Sequence, residues 1–288
     1  MCERPSQNPP SVTLSRTSFL HIEKAFDLSP ATLPSLFSFD GVHSKQYKLQ
    51  SDSDKIEMLN VVVKANQKVE IANSLLSLSH NFETKWTTAL ICGEGVVRRQ
   101  TLDSRYGHRL AYILGLTQSS VELWTHPLLL PVALLRDCCS RTETSREVLD
   151  DMLVQLENDI GVTFAGRARH RRSLENWPAD IDIKSATIGL HSTGAQIFFV
   201  SQVCAWACDC TRFLIGLGEE IEEQFPSLKQ TSMVLRDCLA HELSFMSNID
   251  RFMDSCKERV QAQTNVVNST SRSSTNAQLK YDPALQCC

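Results

Sequence analysis

The chain has 288 residues, of which 42% are hydrophobic and 22% charged, enough apolar material for a sizeable core and too much for a wholly disordered chain. Lys and Arg number 29 against 33 Asp and Glu, a net charge of −4, which argues against a dedicated nucleic-acid binder with its strong basic excess. The 11 cysteines are odd in number and lie mostly in apolar helical text, which argues against a disulfide framework.

Residues 1–11 (MCERPSQNPPS) are rich in Pro and Ser and read as a disordered tail. No apolar signal region follows Met1, so a reducing, cytoplasmic setting is expected, with cysteine acting as a small hydrophobe. From Val12 to about Lys55 the turn signals Ser29-Pro30, Leu33-Pro34 and Asp40-Gly41 predict short extended segments and no long helix. Beyond Asp54 two readings stay open. Ile56, Leu59 and Val63 fit a helix capped by Asp54, whereas the β-branched run Val61-Val62-Val63 fits a strand over Met58–Val63. Ala89–Cys92 reads as a buried strand ended by Gly93-Glu94-Gly95, and Leu110–Leu116 is a second apolar run. With Val12–Phe19 these runs predict a small sheet.

From Leu128 onward the periodicity is helical. Glu143–Ile160 carries Val148, Met152, Leu153, Leu156 and Ile160 on one face, and Gly161 stops it. A polar connector from Gly166 to Asp182 holds Trp177-Pro178 and the basic run Arg167-Ala168-Arg169-His170-Arg171-Arg172, read as a solvated loop. A second helix is predicted from Ser185 to Gln224, closed by Pro226. Its first part, Ser185 to Cys208, has 24 residues without Asp, Glu, Lys or Arg. Polar residues interrupt it too often for a membrane span, so a buried helix is expected and no span. A third helix is predicted from Ser227 to Val267. Along it Leu235, Leu239, Leu243, Met246, Ile249, Met253, Cys256 and Val260 form a heptad-like seam, through which the chain is expected to associate with itself or with a partner helix. The resulting fold is α+β and predominantly helical, with a small mixed sheet and helix region over 12–142. A helical subregion over 143–268 follows as a long antiparallel hairpin with a stalk-like helix, and 269–288 is a disordered polar tail.

Chemical signatures are sparse. Gly93-x-Gly95 lacks a third Gly or a Gly-Lys-Ser/Thr and reads as a plain turn rather than a phosphate cradle. Neither Gly-x-Ser-x-Gly nor His-Glu-x-x-His occurs, so no catalytic residue is nominated and the chain is not expected to be an enzyme. Cys204, Cys208 and Cys210 share one helical stretch, but His191 and His241 do not complete a zinc spacing with them, which makes these core cysteines. Glu219, Glu220, Glu222 and Glu223 would attract a hydrated divalent cation, although a solvated helix end is the plainer reading. Cys287-Cys288 fails the prenylation pattern, which needs Cys where Leu285 stands. The sequon at Asn268 reads as coincidence.

Trp124-Thr125-His126-Pro127-Leu128-Leu129-Leu130-Pro131 is an unusual string. An acidic helix, a connector and two long helices follow, the last carrying Arg259-Val260-Gln261-Ala262-Gln263-Thr264-Asn265-Val266-Val267-Asn268. Over roughly 85–268 this order resembles the cytosolic part of fungal CorA-like proteins, relatives of the CorA magnesium channels. The resemblance implies a mixed αβ domain leading to long helices, the last a stalk that enters transmembrane helices. Here a polar tail starts at Ser269 and no Gly-Met-Asn occurs, so a version without the membrane part is expected, truncated or alternatively spliced. Without a spanning element such a chain is not itself a pore. The resemblance implies Mg²⁺ sensing or assembly between cytosolic domains, with no ligand assigned to any residue of this chain. The alternative is a helical interaction module without cation function.

Overall fold

The computed structural model describes residues 2–3, 14–51, 54–66, 71, 74–93, 121–161 and 182–281, with the backbone alone at 2–3, 121 and 272–281. The chain is α+β and mostly helical. Strands β1 (Cys2–Glu3), β2 (Val42–Leu49), β3 (Ile56–Lys64), β4 (Ser74–Asn81) and β5 (Trp86–Gly93) form one sheet in the order β1-β5-β4-β3-β2. All pairings are antiparallel except the short parallel contact of β1 with β5. Helices α1 (Arg16–Ala25) and α2 (Thr32–Phe37) precede β2. Three long helices follow the sheet: α3 (Leu129–Ile160), α4 (Ile183–Gln224) and α5 (Lys229–Tyr281). Single turns of 3₁₀ helix at Val121–Thr125 and Pro226–Leu228 lead into α3 and α5.

Residues gather into two compact units, Met1–Thr142 with Gln202–Asn248, and Glu143–Ser201 with Ile249–Cys288. Each long helix contributes residues to both.

In the first unit the sheet is covered on both faces, which is why β3 is buried from Leu59 onward and β4 as far as His80. One face carries Val62, Leu75, Leu90 and Cys92, packed with Phe19 of α1 and with Leu28 and Leu36. Two buried polar contacts lie on this face: Thr32 and Ser77 share a hydroxyl hydrogen bond of 2.7 Å, and Asn60 Nδ2 donates to the Asp27 carbonyl at 3.1 Å, while Asn60 Oδ1 and Ser79 Oγ are buried without a hydrogen-bond partner. The opposite face meets the long helices. His43 lies against Phe213 with ring centroids 4.7 Å apart, and Phe82 stacks on Phe225 at 3.7 Å.

The segment Val12–Phe19, expected as a strand, is corrected from Arg16 onward to helix. Ser15 caps α1, its hydroxyl accepting from the Ser18 N–H at 3.0 Å, and Phe19 and Ile22 then fall on the buried side. The open choice beyond Asp54 resolves as the strand, because Val61, Val62 and Val63 are all fully buried in mid-sheet. The strand at Ala89–Cys92 is present as part of β5, while Leu110–Leu116 lies outside the described residues. At the end of α3 Gly161 adopts φ 75° and donates its N–H to the Glu157 carbonyl at 3.0 Å, the left-handed cap that glycine accommodates without a Cβ clash.

The polar text after Asn268, expected as a tail, is helical as far as Tyr281. No Gly or Pro occurs between Pro226 and Pro283, so nothing in the backbone interrupts the helix. At 53 residues α5 is about 80 Å long at about 1.5 Å per residue.

Candidate functional site

The Trp124–Pro131 string builds the start of α3. His126 is 2% exposed, and its Nδ1 accepts the Leu128 backbone N–H at 3.1 Å. With Nδ1 occupied as an acceptor, the hydrogen-bond network places the imidazole proton on Nε2, which donates to Ser232 Oγ at 2.8 Å. A serine nucleophile needs the reverse, a histidine nitrogen that accepts the hydroxyl proton. The pair therefore pins the entry of α3 to the first turn of α5. Pro131 needs no N–H partner in the first helical turn, which is why it is tolerated there.

A second buried imidazole, His80 on β4, shares a 2.8 Å hydrogen bond between Nδ1 and Thr87 Oγ1, its cross-strand partner on β5. Its Nε2 is buried without a hydrogen-bond partner. Burial lowers the His80 pKa to about 4. His126 is lowered further, to about 3, by burial and then by the neighbouring His80. Both rings are neutral at physiological pH.

The cysteines of the helical region line the core. Cys138, Cys139, Cys204 and Cys210 are each no more than 2% exposed, and no disulfide joins the described cysteines. Burial, reinforced by Cys138 and Glu242, raises the Cys139 thiol far above its ordinary range, and burial does the same to Cys210. Such thiols stay protonated and are poor nucleophiles and poor ligands. Cys208 Sγ lies 3.7 Å from Ser247 Oγ, while His191 and His241 are both exposed. Among the described residues no group of three or more His, Cys, Asp or Glu is placed to hold a metal ion.

The acidic end of α4 is engaged by cations of the protein itself. Glu220 takes a salt bridge from Lys45 and accepts the Tyr47 hydroxyl at 3.1 Å, both from the edge strand β2. Arg236 of α5 pairs with Glu222 at 2.9 Å and with Glu219 at 3.3 Å. Burial, then the Glu220 charge and its hydrogen bond, raise the Tyr47 pKa. These carboxylates thus fasten the end of α4 to the sheet edge and to α5.

In the second unit Arg259 of α5 forms a three-point clamp. Its Nε and Nη2 reach the two oxygens of Glu157 at 2.8 Å each, and its Nη1 reaches Asp150 Oδ1 at 2.9 Å. Asp150 and Glu157 on α3 are 4% and 3% exposed. Hydrogen bonding to Glu157 is the largest of the effects that raise the Arg259 pKa. Beside this clamp, Arg146 pairs bidentately with Glu143 and sits over the Phe252 ring at 4.8 Å. Nothing in the spacing of the sequence marked Arg259 as the partner of two acids about a hundred positions away.

The expected seam of α5 is occupied within the chain. Leu235, Leu239, Met246, Ile249, Met253 and Cys256 are each no more than 3% exposed. Glu242 rather than Leu243 takes the buried position between Leu239 and Met246, and Gln263 and Val267 extend the stripe. By contrast, α4 is long and apolar enough, by length and composition, to cross a membrane, yet only half of its most apolar window is buried inside the protein. Gly93 closes β5, but Gly95, the basic run 167–172 and Cys287-Cys288 lie outside the described residues.

No protein-family model matches the chain, and no curated protein matches it.

Proposed function

We propose that this protein is a non-catalytic helical assembly module, laid out on the plan that the resemblance to CorA-like cytosolic domains implies but without cation sensing. A single observation carries this reading. The charge-free part of α4 leaves apolar residues in solvent, with Ile188 60% and Phe198 54% exposed, where a helix that packs only inside its own chain would carry charge. The buried polar groups lend themselves to fastening rather than chemistry, since the imidazole facing Ser232 donates its proton and the Arg259 clamp is saturated by Asp150 and Glu157.

Mg²⁺ sensing finds no support in the acidic end of α4, where Glu219, Glu220 and Glu222 already neutralise Lys45 and Arg236. Light scattering in EDTA, in several millimolar Mg²⁺ and in Ca²⁺ tests the reading. The expected result is one mass in all three, because a cation that binds only the folded assembly would have to favour it. A mass that follows Mg²⁺ and not Ca²⁺ contradicts the reading and returns cation sensing.

A further inference from the structure

We infer that the exposed face of α4 is a homodimer contact in which two copies of the helix pack antiparallel about a two-fold axis; the inference rests on the assembly reading and names its partner. Lys184, Ile188, His191, Ala195, Phe198, Gln202, Ala205 and Asp209 follow one another by alternating steps of four and three, the spacing of a helix seam. All of them are exposed except Gln202, which is half-buried. This seam is separate from the buried one of the same helix, which includes Leu190, Ile197, Cys204 and Thr211.

The choice of occupant comes from how the face matches itself. An antiparallel copy centred between Gln196 and Ile197 sets each position against a complementary one. Ile188 meets Ala205 of the second copy, and Phe198 meets Ala195, large against small in both cases. His191 meets Gln202, polar against polar. At each end Lys184 meets Asp209, opposite charges flanking a charge-free stretch. Asp209 is 66% exposed, bonded at 2.7 Å to Arg212 of its own helix, itself 60% exposed, and close enough to His43 to act on it, and its exposure leaves it accessible to a second cation. A two-fold axis repeats every one of these pairings, as a self-complementary interface requires. A parallel copy would instead set Phe198 against Phe198 and Lys184 against Lys184.

The experiment is sedimentation of the full chain over a concentration series in EDTA, for the wild type and for the double variant Ile188→Asp, Phe198→Asp. Both side chains are more than half exposed, so the variant keeps its helical circular dichroism. The wild type is expected to approach twice 32.3 kDa as concentration rises, and the variant to stay at 32.3 kDa. Lys184→Glu alone is expected to raise the dimer dissociation constant about tenfold, since two end pairs are lost at once, and Asp209→Lys in the same chain to restore it. A wild type that stays at 32.3 kDa throughout, or a dimer that survives the double variant, overturns the α4 contact. A charge swap that restores nothing overturns the antiparallel register. A double variant that remains dimeric leaves the assembly reading standing, whereas a mass that tracks Mg²⁺ defeats that reading itself, so the two failures are distinguishable.

Discussion

Arg259 holds two buried carboxylates at once, those of Asp150 and Glu157. Replacing it by Met takes away the guanidinium that Asp150 and Glu157 share, their side chains being 6% and 4% exposed. Removing one partner of a buried ion pair costs about 3–5 kcal/mol, so Arg259→Met should lower the urea midpoint by a large fraction of total stability. Arg259→Lys should recover only part, because an ammonium cannot reproduce the planar fork that holds two acids together. Gly41 gives a test of a different kind. A Cβ at Gly41 would collide with the rigid indole of Trp206, whereas at Gly189 it would meet the flexible end of Leu156 at 2.6 Å. Gly41→Ala should therefore cost about 1–3 kcal/mol in a denaturant melt and Gly189→Ala less, since only the second neighbour has rotamers in which to move.

The two buried imidazoles set the pH response at the same scale. Above about pH 6.5, the ordinary histidine value, His80 and His126 are neutral whether the chain is folded or not. As the pH falls, the unfolded chain takes up protons from 6.5 downward, while the folded rings resist until about 4 for His80 and about 3 for His126. Stability is present above 6.5 and is lost across that window, by on the order of 3 kcal/mol or more for each ring. Urea midpoints measured from pH 7 to 5, where most carboxylates stay ionised, should fall for the wild type and fall less for His80→Gln. A wild-type profile that stays flat there contradicts this assignment.

At the scale of the elements, α5 separates two substitutions that look alike in sequence. Leu239 is fully buried, while Leu243 is half-buried and sits beside the seam. Leu239→Asp should unfold the protein, at a cost above about 4 kcal/mol, whereas Leu243→Asp should leave a folded chain with a lowered thermal midpoint. The long helices were legible because their periodicity extends over many turns and Gly161 and Pro226 end two of them unambiguously. The position of Glu242 was not. A carboxylate at a buried heptad position contradicts the apolar pattern, and its neighbours Cys139, Arg136 and His241 give it a place.

Strands β2 and β4 were hidden for a related reason. β2 is an edge strand whose Lys45 and Tyr47 serve the acidic end of α4, and β4 mixes leucine with serine because Ser77 meets Thr32. Neither strand shows the β-branched enrichment that marked β3. The candidate surface on α4 was half legible: its lack of charge stands out in the sequence, but its exposure depends on which turns of the helix the rest of the protein covers.

In the first unit a small sheet is enclosed between short and long helices, with polar clasps at His126–Ser232 and Glu222–Arg236; in the second, Arg259 clasps Glu157. The apolar seam of α5 is consumed internally, and α4 is left with an uncharged exposed face. The most direct test of the account is the molar mass of the wild-type chain, followed by light scattering over a concentration series, once in EDTA and once in several millimolar Mg²⁺. The account predicts two superimposable curves rising from 32.3 kDa toward twice that value. Curves that diverge on adding Mg²⁺, or a mass fixed at 32.3 kDa in both, would contradict it.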